Sequence, residues 1–336
     1  MNEQIGSSRL ANPLSSREPL DFNPLNHPIC ARTPLRNTAF TAWAGHIPFA
    51  MCLVDILEPR VFAELGTHWG VSYCAFCQAV KELRLPTECF AVDTWQGDAH
   101  ASFYTHEVFE DLSAYHDLHY SLFSKMLRST FDDALSQFQD GSIDLLHIDG
   151  YHTYDAVKHD YETWLPKMSD RGVIIFHDTE VRDQESFGVW RFWDEIKQKY
   201  PSFSFYNCWG LGLIAVGKSV PDKLWPLVSA SPDKADRIRR FFANLGGNLE
   251  KLYEISLQRE NMQELIAAKT NECVRLEAAL AAATASDPRL GRIRYRAVDK
   301  AIRLAGRVPF LLPVAKYAVM KAVPFYRSMR RHTSRV

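Results

Sequence analysis

No uncharged apolar run in this sequence reaches the roughly 18 residues that a membrane-spanning helix needs. The nearest stretch, VPFLLPVAKYAVMKAVPF, is broken by Pro309, Pro313, Lys316, Lys321 and Pro324. The opening residues, MNEQIGSSRLANPLSSREPLDFNPLNHP, hold no apolar h-region, so no signal peptide is expected. Cysteine is also sparse: seven in 336 residues, an odd number without framework spacing. That argues against a disulfide scaffold and for a reduced, cytoplasmic protein. Cys74 and Cys77 form a lone C-x-x-C within GVSYCAFCQAVKEL, a segment of helical spacing where small core residues are a simpler account than a metal or redox pair. Net charge is nearly absent at -1, but unevenly spread. From Ser286 onward thirteen Lys/Arg face two Asp, leaving 26 basic against 38 acidic residues upstream. A basic tail on an acidic body predicts either contact with an anionic surface or a solvated tail.

What the chain does have is 46% hydrophobic residues and a regular alternation of short apolar runs with helical segments. Residues 1–37, rich in Pro, Ser and Asn, read as a flexible N-terminal arm. A helical pattern from Asn37 to Leu57 follows. Strands are then expected at 61–65, 89–93, 143–149 and 172–178, with a closing pair within 202–217. Helices are expected at 71–83, around 131–138, at 153–168 and at 189–200. Strands alternating with helices imply βαβ units and a parallel sheet, to which the last pair adds an antiparallel hairpin. Residues 219–247 read as an amphipathic linker ended by Gly246-Gly247. Over 248–284, positions spaced three and four apart fall on Leu252, Ile255, Arg259, Met262, Ile266, Lys269, Cys273, Leu276 and Leu280. Seven of these nine are apolar, enough for a coiled coil and hence a homodimer, or else for a helix packing back on the domain.

The chemistry concentrates where strands end. VFAEL runs into Glu64-Leu-Gly66-Thr-His-Trp-Gly70, a glycine-bearing turn that lets backbone approach a ligand and aims helix amides at it. One glycine is missing from the dinucleotide fingerprint, which argues against an NAD-dependent oxidoreductase. The next strand ends at Asp93, an acid placed to hydrogen-bond both hydroxyls of a ribose. Together these suggest an adenosyl ligand without a pyrophosphate. Two further strands stop at Asp149 and Asp178, with His152 three residues past the first. Carboxylates ending neighbouring parallel strands converge at the carboxyl edge of the sheet, where ligands bind. Such a pair suits a hard divalent cation, which would lower the pKa of a substrate hydroxyl. His152 is a candidate base for that proton.

ELGTHWGVSY, AVDTWQGD and LLHIDGYHTYDAVKHDYETWLPKMSDRGVIIFHDT together resemble class I S-adenosylmethionine (SAM) dependent methyltransferases. The likeness is to the type-24 methyltransferase domain found in bacterial glycan biosynthesis, similar to the catechol O-methyltransferase branch, and spans roughly residues 38–218. It implies a Rossmann-like, doubly wound, mostly parallel seven-stranded sheet. It also implies a SAM cradle of Glu64, Gly66, Gly70 and Ser72 for the methionine end, with Asp93 on the ribose and Trp95 beside the adenine. Catechol-type enzymes carry Asp-x-x-Lys and Asp-Asn at the positions of Asp149, His152, Asp178 and Thr179. Asp149, Asp178 and Thr179 would therefore hold Mg²⁺ or another divalent cation. Thr179 in place of Asn keeps a metal-free alternative open, with His152 acting alone and Asp178 or His177 orienting it. The aromatic-rich stretch 93–120 is either an acceptor pocket or an ordinary helix pair covering the sheet.

The function implied is O-methylation of a sugar hydroxyl in a glycan or glycolipid precursor. A non-catalytic SAM-binding assembly or membrane-recruiting protein is the alternative. The tail at 285–336 mixes Arg and Lys with apolar residues, as a helix lying in anionic headgroups does. Peripheral attachment at the inner face of the membrane is expected, and nucleic acid is not expected as a partner.

Overall fold

The computed structural model describes residues 21–36 and 42–286. Helix α1 (Ile47–Leu57) precedes strand β1 (Val61–Leu65), which leads through helix α2 (Val71–Leu83) to β2 (Glu88–Asp93). A two-residue ladder, β3 (Gly97–Asp98) with β4 (Ser102–Phe103), and helix α3 (Glu107–His119) then lead to β5 (Ser124–Arg128). Next come α4 (Phe131–Ala134), β6 (Ile143–Ile148), α5 (Tyr154–Trp164), β7 (Met168–His177) and α6 (Val189–Ile196). Strands β8 (Ser202–Phe205) and β9 (Leu211–Ala215), the short α7 (Trp225–Val228) and the long α8 (Pro232–Ser286) complete the described chain.

Seven strands form one sheet in the order β5-β2-β1-β6-β7-β9-β8. The first five are parallel, and β9 runs antiparallel to both β7 and β8. Neighbouring residues of each central strand point to opposite faces, and both faces are covered. Phe62, Leu145 and Val173 pack with α1 and α2, whereas Ala63, Leu146 and Ile174 pack with α5 and α6. Burial on both sides is why these strands read as unbroken apolar runs. Strand β5 escaped the sequence reading for the opposite reason. SKMLR sits at the sheet edge, half exposed, and carries no apolar run.

The expected boundaries shift. Residues 21–36 are no free arm: prolines start short 3₁₀ turns at Pro24–Asn26 and Pro28–Ala31, and Ile29, Cys30 and Arg36 are buried. Arg36 Nε donates to the Trp69 carbonyl at 3.0 Å, and its guanidinium pairs with Asp111 on α3. Nor does the core end at residue 218, because Leu224, Leu227, Ala235, Ile238 and Phe242 join the cluster on α1, with Phe242 5.3 Å from Phe49. Gly246-Gly247 does not end the helix that contains it. Helix α8 passes straight through, and a Cβ on Gly246 would stand 2.0 Å from the Gly45 carbonyl oxygen. That glycine is a contact point, not a stop.

The chain divides into compact units at Met1–Ile255 and Ser256–Val336. In the second, the described residues are helical, and the seam residues Met262, Ile266 and Leu276 are exposed. The first twenty residues and the basic tail from 287 lie outside the described residues, which leaves the lipid-facing reading at its sequence-based expectation. No helix among the described residues is long and apolar enough to cross a membrane.

Gly246→Ala should lower stability by about 1–3 kcal/mol, the usual cost of overpacking. Gly247→Ala places its Cβ in open space and should be neutral, or stabilising by up to about 1 kcal/mol. Thermal melts of the two variants should therefore shift unequally. Equal shifts would refute the close approach at Gly45.

Candidate active site

From β1 the chain passes to β2 on one side, while β6 lies on the other, so crossovers leave this strand in opposite directions. Ligands of open α/β sheets bind at such a switch point, beyond the carboxyl ends of the strands. Here the position holds a cleft of ≈ 530 Å³, lined by the turns after β1, β2, β6 and β7.

One end of the cleft is the turn Gly66–Gly70 with Ser72 on the first turn of α2. Gly66 (φ +87°) and Gly70 (φ +73°) take left-handed conformations that favour glycine. A Cβ at Gly66 would meet the Asp149 carbonyl oxygen at 2.0 Å, so the turns after β1 and β6 touch. Asp93 fastens this turn. Its Oδ2 accepts from the Thr67 and His68 amides at 2.8 and 2.9 Å, and its Oδ1 accepts from the Trp95 amide at 2.7 Å. Gly66, Gly70, Ser72 and Asp93 thus line the cleft together, as the resemblance implies.

Two expected cradle residues do not. Glu64 is wholly buried in β1, its Oε2 bonded to His147 Nδ1 at 2.8 Å, because mid-strand position directs it beneath the cleft. Trp95 is 1% exposed and packs on Phe109, its indole N–H donating to the His68 carbonyl. It supports the turn from behind instead of facing a ligand.

At the other end Asp149, His152 and Asp178 converge. His152 Nε2 lies 2.9 Å from Asp178 Oδ2 and 3.7 Å from Asp149 Oδ1. One ligand atom from each of these three residues falls within 4.8 Å of the others, a set able to hold a metal ion. Thr179, the expected third ligand, is the residue after Asp178 and keeps its side chain in the interior. It is fully buried, and its hydroxyl makes no hydrogen bond, whereas His152 lies beside both carboxylates. Asp178 adopts φ +61°, a left-handed conformation that Asp tolerates better than most residues.

A second layer of imidazoles lies below. His177 Nδ1 is 3.4 Å from Asp149 and 3.2 Å from Asp178, while its Nε2 donates to the Cys208 carbonyl at 3.2 Å. His46 Nε2 donates to the same carbonyl at 3.1 Å. Burial opposes charge on His152, yet the carboxylates of Asp149 and Asp178 override it and push its pKa up to about 10. Burial also opposes charge on Asp149, and His177 and His152 hold it well below the ordinary carboxylate range. His46, buried and beside His177, falls to about 3 and stays neutral.

Loops build the remaining walls. From the stretch 93–120, His100 and Tyr104 line the cleft, while α3 covers the core. His100 stacks on Tyr151 and Phe187 at 4.5 and 4.6 Å, and Phe187 stacks on His152 at 4.8 Å. Trp43 and Trp209 also reach the cleft. No strand or helix pattern marks these residues; they come from four separate segments. Asp160 on α5 is buried near Gly150, and burial pushes its pKa up to about 7.

Residues 63–179 match the family model described as a methyltransferase domain. An uncharacterized protein of Sinorhizobium fredii (strain NBRC 101917 / NGR234) is 51% identical over 193 residues, 57% of this chain. The chain spans only 21% of that relative's length. Among solved structures, the O-methyltransferase TomG of Streptomyces achromogenes, in complex with SAM, aligns at 14% identity and a TM-score of 0.39, over 55% of this chain and 83% of that one. A methyltransferase from Geobacter sulfurreducens aligns at 14% and 0.39, over 52% and 80%. The family match, not these alignments, carries the assignment. Over residues 63–179 the chain is similar to a methyltransferase domain.

Proposed function

We propose that this chain is a SAM-dependent O-methyltransferase acting on a hydroxyl of a saccharide or glycolipid precursor. The observation that carries the proposal is the convergence of Asp149, His152 and Asp178 at one end of a cleft whose other end is the Gly66–Ser72 turn. Gly66, Gly70 and Ser72 would receive the methionine end of the cofactor. Asp93 Oδ1 accepts only one of the three amides and keeps a lone pair for a ribose hydroxyl. The saccharide assignment draws on the setting of the resembled family, with the aromatic faces of Tyr151 and Trp209 in support.

Transfer is an in-line displacement. The sulfonium–methyl bond breaks as the oxygen–methyl bond forms, S-adenosylhomocysteine leaves, and the hydroxyl proton passes to a base. Positioning and deprotonation therefore supply most of the catalysis. With its pKa near about 10, His152 already holds a proton at neutral pH and cannot take another. It becomes a base only when Asp149 and Asp178 are otherwise engaged. Two carboxylates and an imidazole suit a divalent cation, and Asp178 Oδ1 is buried without a hydrogen-bond partner. Asp149 and Asp178 would hold it, which would free the His152 imidazole to take the hydroxyl proton. When bound, such an ion supplies Lewis-acid polarisation of the acceptor oxygen. Asp149 and Asp178 then bind and orient, and His177 fixes both carboxylates from below.

Asp93→Ala should weaken SAM binding by about 1.5–3 kcal/mol, the range for hydrogen bonds to a charged group. Calorimetry giving unchanged affinity would remove Asp93 from the cofactor site. A chelator should abolish methyl transfer, and Mg²⁺ or Mn²⁺ should restore it. Activity that persists in chelator would instead have to climb with pH toward about 10, where His152 loses its proton. His152→Ala should lower kcat by roughly 10²–10⁴-fold, and undiminished turnover in that variant would exclude His152 from the mechanism.

A further inference from the structure

We infer that the acceptor taken by this cleft is uncharged around its reacting hydroxyl: a neutral, ring-bearing polyol such as an unphosphorylated glycosyl unit. Phosphorylated, nucleotide-linked and carboxylated acceptors are excluded. The inference rests on the methyl-transfer reading and narrows it.

The cleft has no fixed positive charge to offer an anion. None of the described residues lining it is Lys or Arg, although Asp93, Asp98, Asp149 and Asp178 all reach it. Recognition of phosphate or carboxylate normally uses the forked donors of Arg or the ammonium of Lys. The arginines of the flanking loops are engaged elsewhere. Arg128 stacks on Phe109, and Arg182 pairs with Asp194 at 3.2 Å. The imidazoles supply no surplus either, since His152 and His177 each lie within 3.4 Å of a carboxylate. A divalent cation held by Asp149 and Asp178 would offset those two charges, while Asp93 and Asp98, bonded to neutral backbone amides, keep their net negative charge. The cofactor, a sulfonium, matches such an acidic cleft; an anionic acceptor does not.

A neutral ring finds what it needs. Tyr151 and Trp209 are 39% and 54% exposed where they line the cleft, presenting flat faces to the C–H surface of a sugar. Between Tyr151 and Phe187, His100 Nδ1 is buried without a hydrogen-bond partner, available to an acceptor hydroxyl.

The test is saturation-transfer NMR on the full chain loaded with S-adenosylhomocysteine, which needs no turnover. The probes are matched pairs: methyl hexopyranosides against their 6-phosphates and uronates, and catechol against 3,4-dihydroxybenzoate. Neutral members should bind and their anionic partners should bind at least ~10-fold more weakly, because like charges suppress the wrong partner. The gap should shrink at high salt and in Gln184→Lys, which adds a cation to the cleft wall. Trp209→Ala should weaken the neutral members. An anionic probe that binds as tightly as its neutral partner overturns the inference. Failure of S-adenosylhomocysteine to bind would overturn the methyl-transfer reading instead, so the two failures are distinct.

Discussion

The approach of Gly66 to the Asp149 carbonyl governs the arrangement of the site. No side chain fits between them, since a Cβ at Gly66 would lie 2.0 Å from that oxygen. The contact is braced from both sides. The Gly66 amide donates to the Val92 carbonyl at the end of β2, and the Asp149 amide donates to the Leu65 carbonyl at the end of β1. Three parallel strands are thereby tied together where they stop. The turn assigned to the cofactor and the acid assigned to the acceptor belong to different βαβ units, and this junction fixes the distance between them. A methyl transfer that depends on near-attack geometry requires that rigidity.

The electrostatics of the cleft follow from the same placement. Four carboxylates at or near strand ends would repel one another if left unmatched. Asp93 is quieted by backbone amides of the glycine turn and by the Trp95 amide, and Asp98 by the His100 and Ala101 amides. Asp149 and Asp178 are matched by His152 and His177. Amides cannot give up their charge complement; imidazoles can, by losing a proton. The difference separates an end of the cleft whose polarity is fixed from an end whose charge state can change.

Much of the fold was legible because a sheet buried on both faces writes itself as apolar runs. Strands ending at Leu65, Asp93, Ile148 and His177 all lie where such runs stop. The edge strand SKMLR lacked that signature, and the helix through Gly246-Gly247 violated a local rule for a tertiary reason, the contact with Gly45. Of the candidate site, Gly66, Gly70, Ser72, Asp93, Asp149, His152 and Asp178 were visible as residues beside strand ends, and all reach the cleft. Glu64, Trp95 and Thr179 do not line it, since position in a motif does not reveal which way a side chain turns. His100 fell within the stretch 93–120 read as a candidate acceptor pocket, whereas Phe187 and Trp209 gave no signal because loops carry no periodicity.

Beneath the cleft runs a polar column that an apolar core would not otherwise tolerate. Glu64 bonds His147, whose Nε2 lies 3.9 Å from Asp149; Asp149 meets His177, and His177 shares the Cys208 carbonyl with His46. Trp43 seals this column, its ring 4.8 Å from His147 and 5.8 Å from both His46 and His177. Removing one member of a buried pair leaves the other desolvated and uncompensated, which costs far more than the pair contributes. The Glu64–His147 bond keeps the lower end paired, and His177 keeps the upper end beside Asp149 and Asp178, while Glu64 Oε1 and His147 Nε2 make no hydrogen bond. Cys208 and Trp209, at φ +52° and +66°, show where the backbone bends to complete the match. The same left-handed backbone recurs at Asp178 itself, φ +61°, so the bend and the carboxylate it supports share one strained corner of the cleft floor.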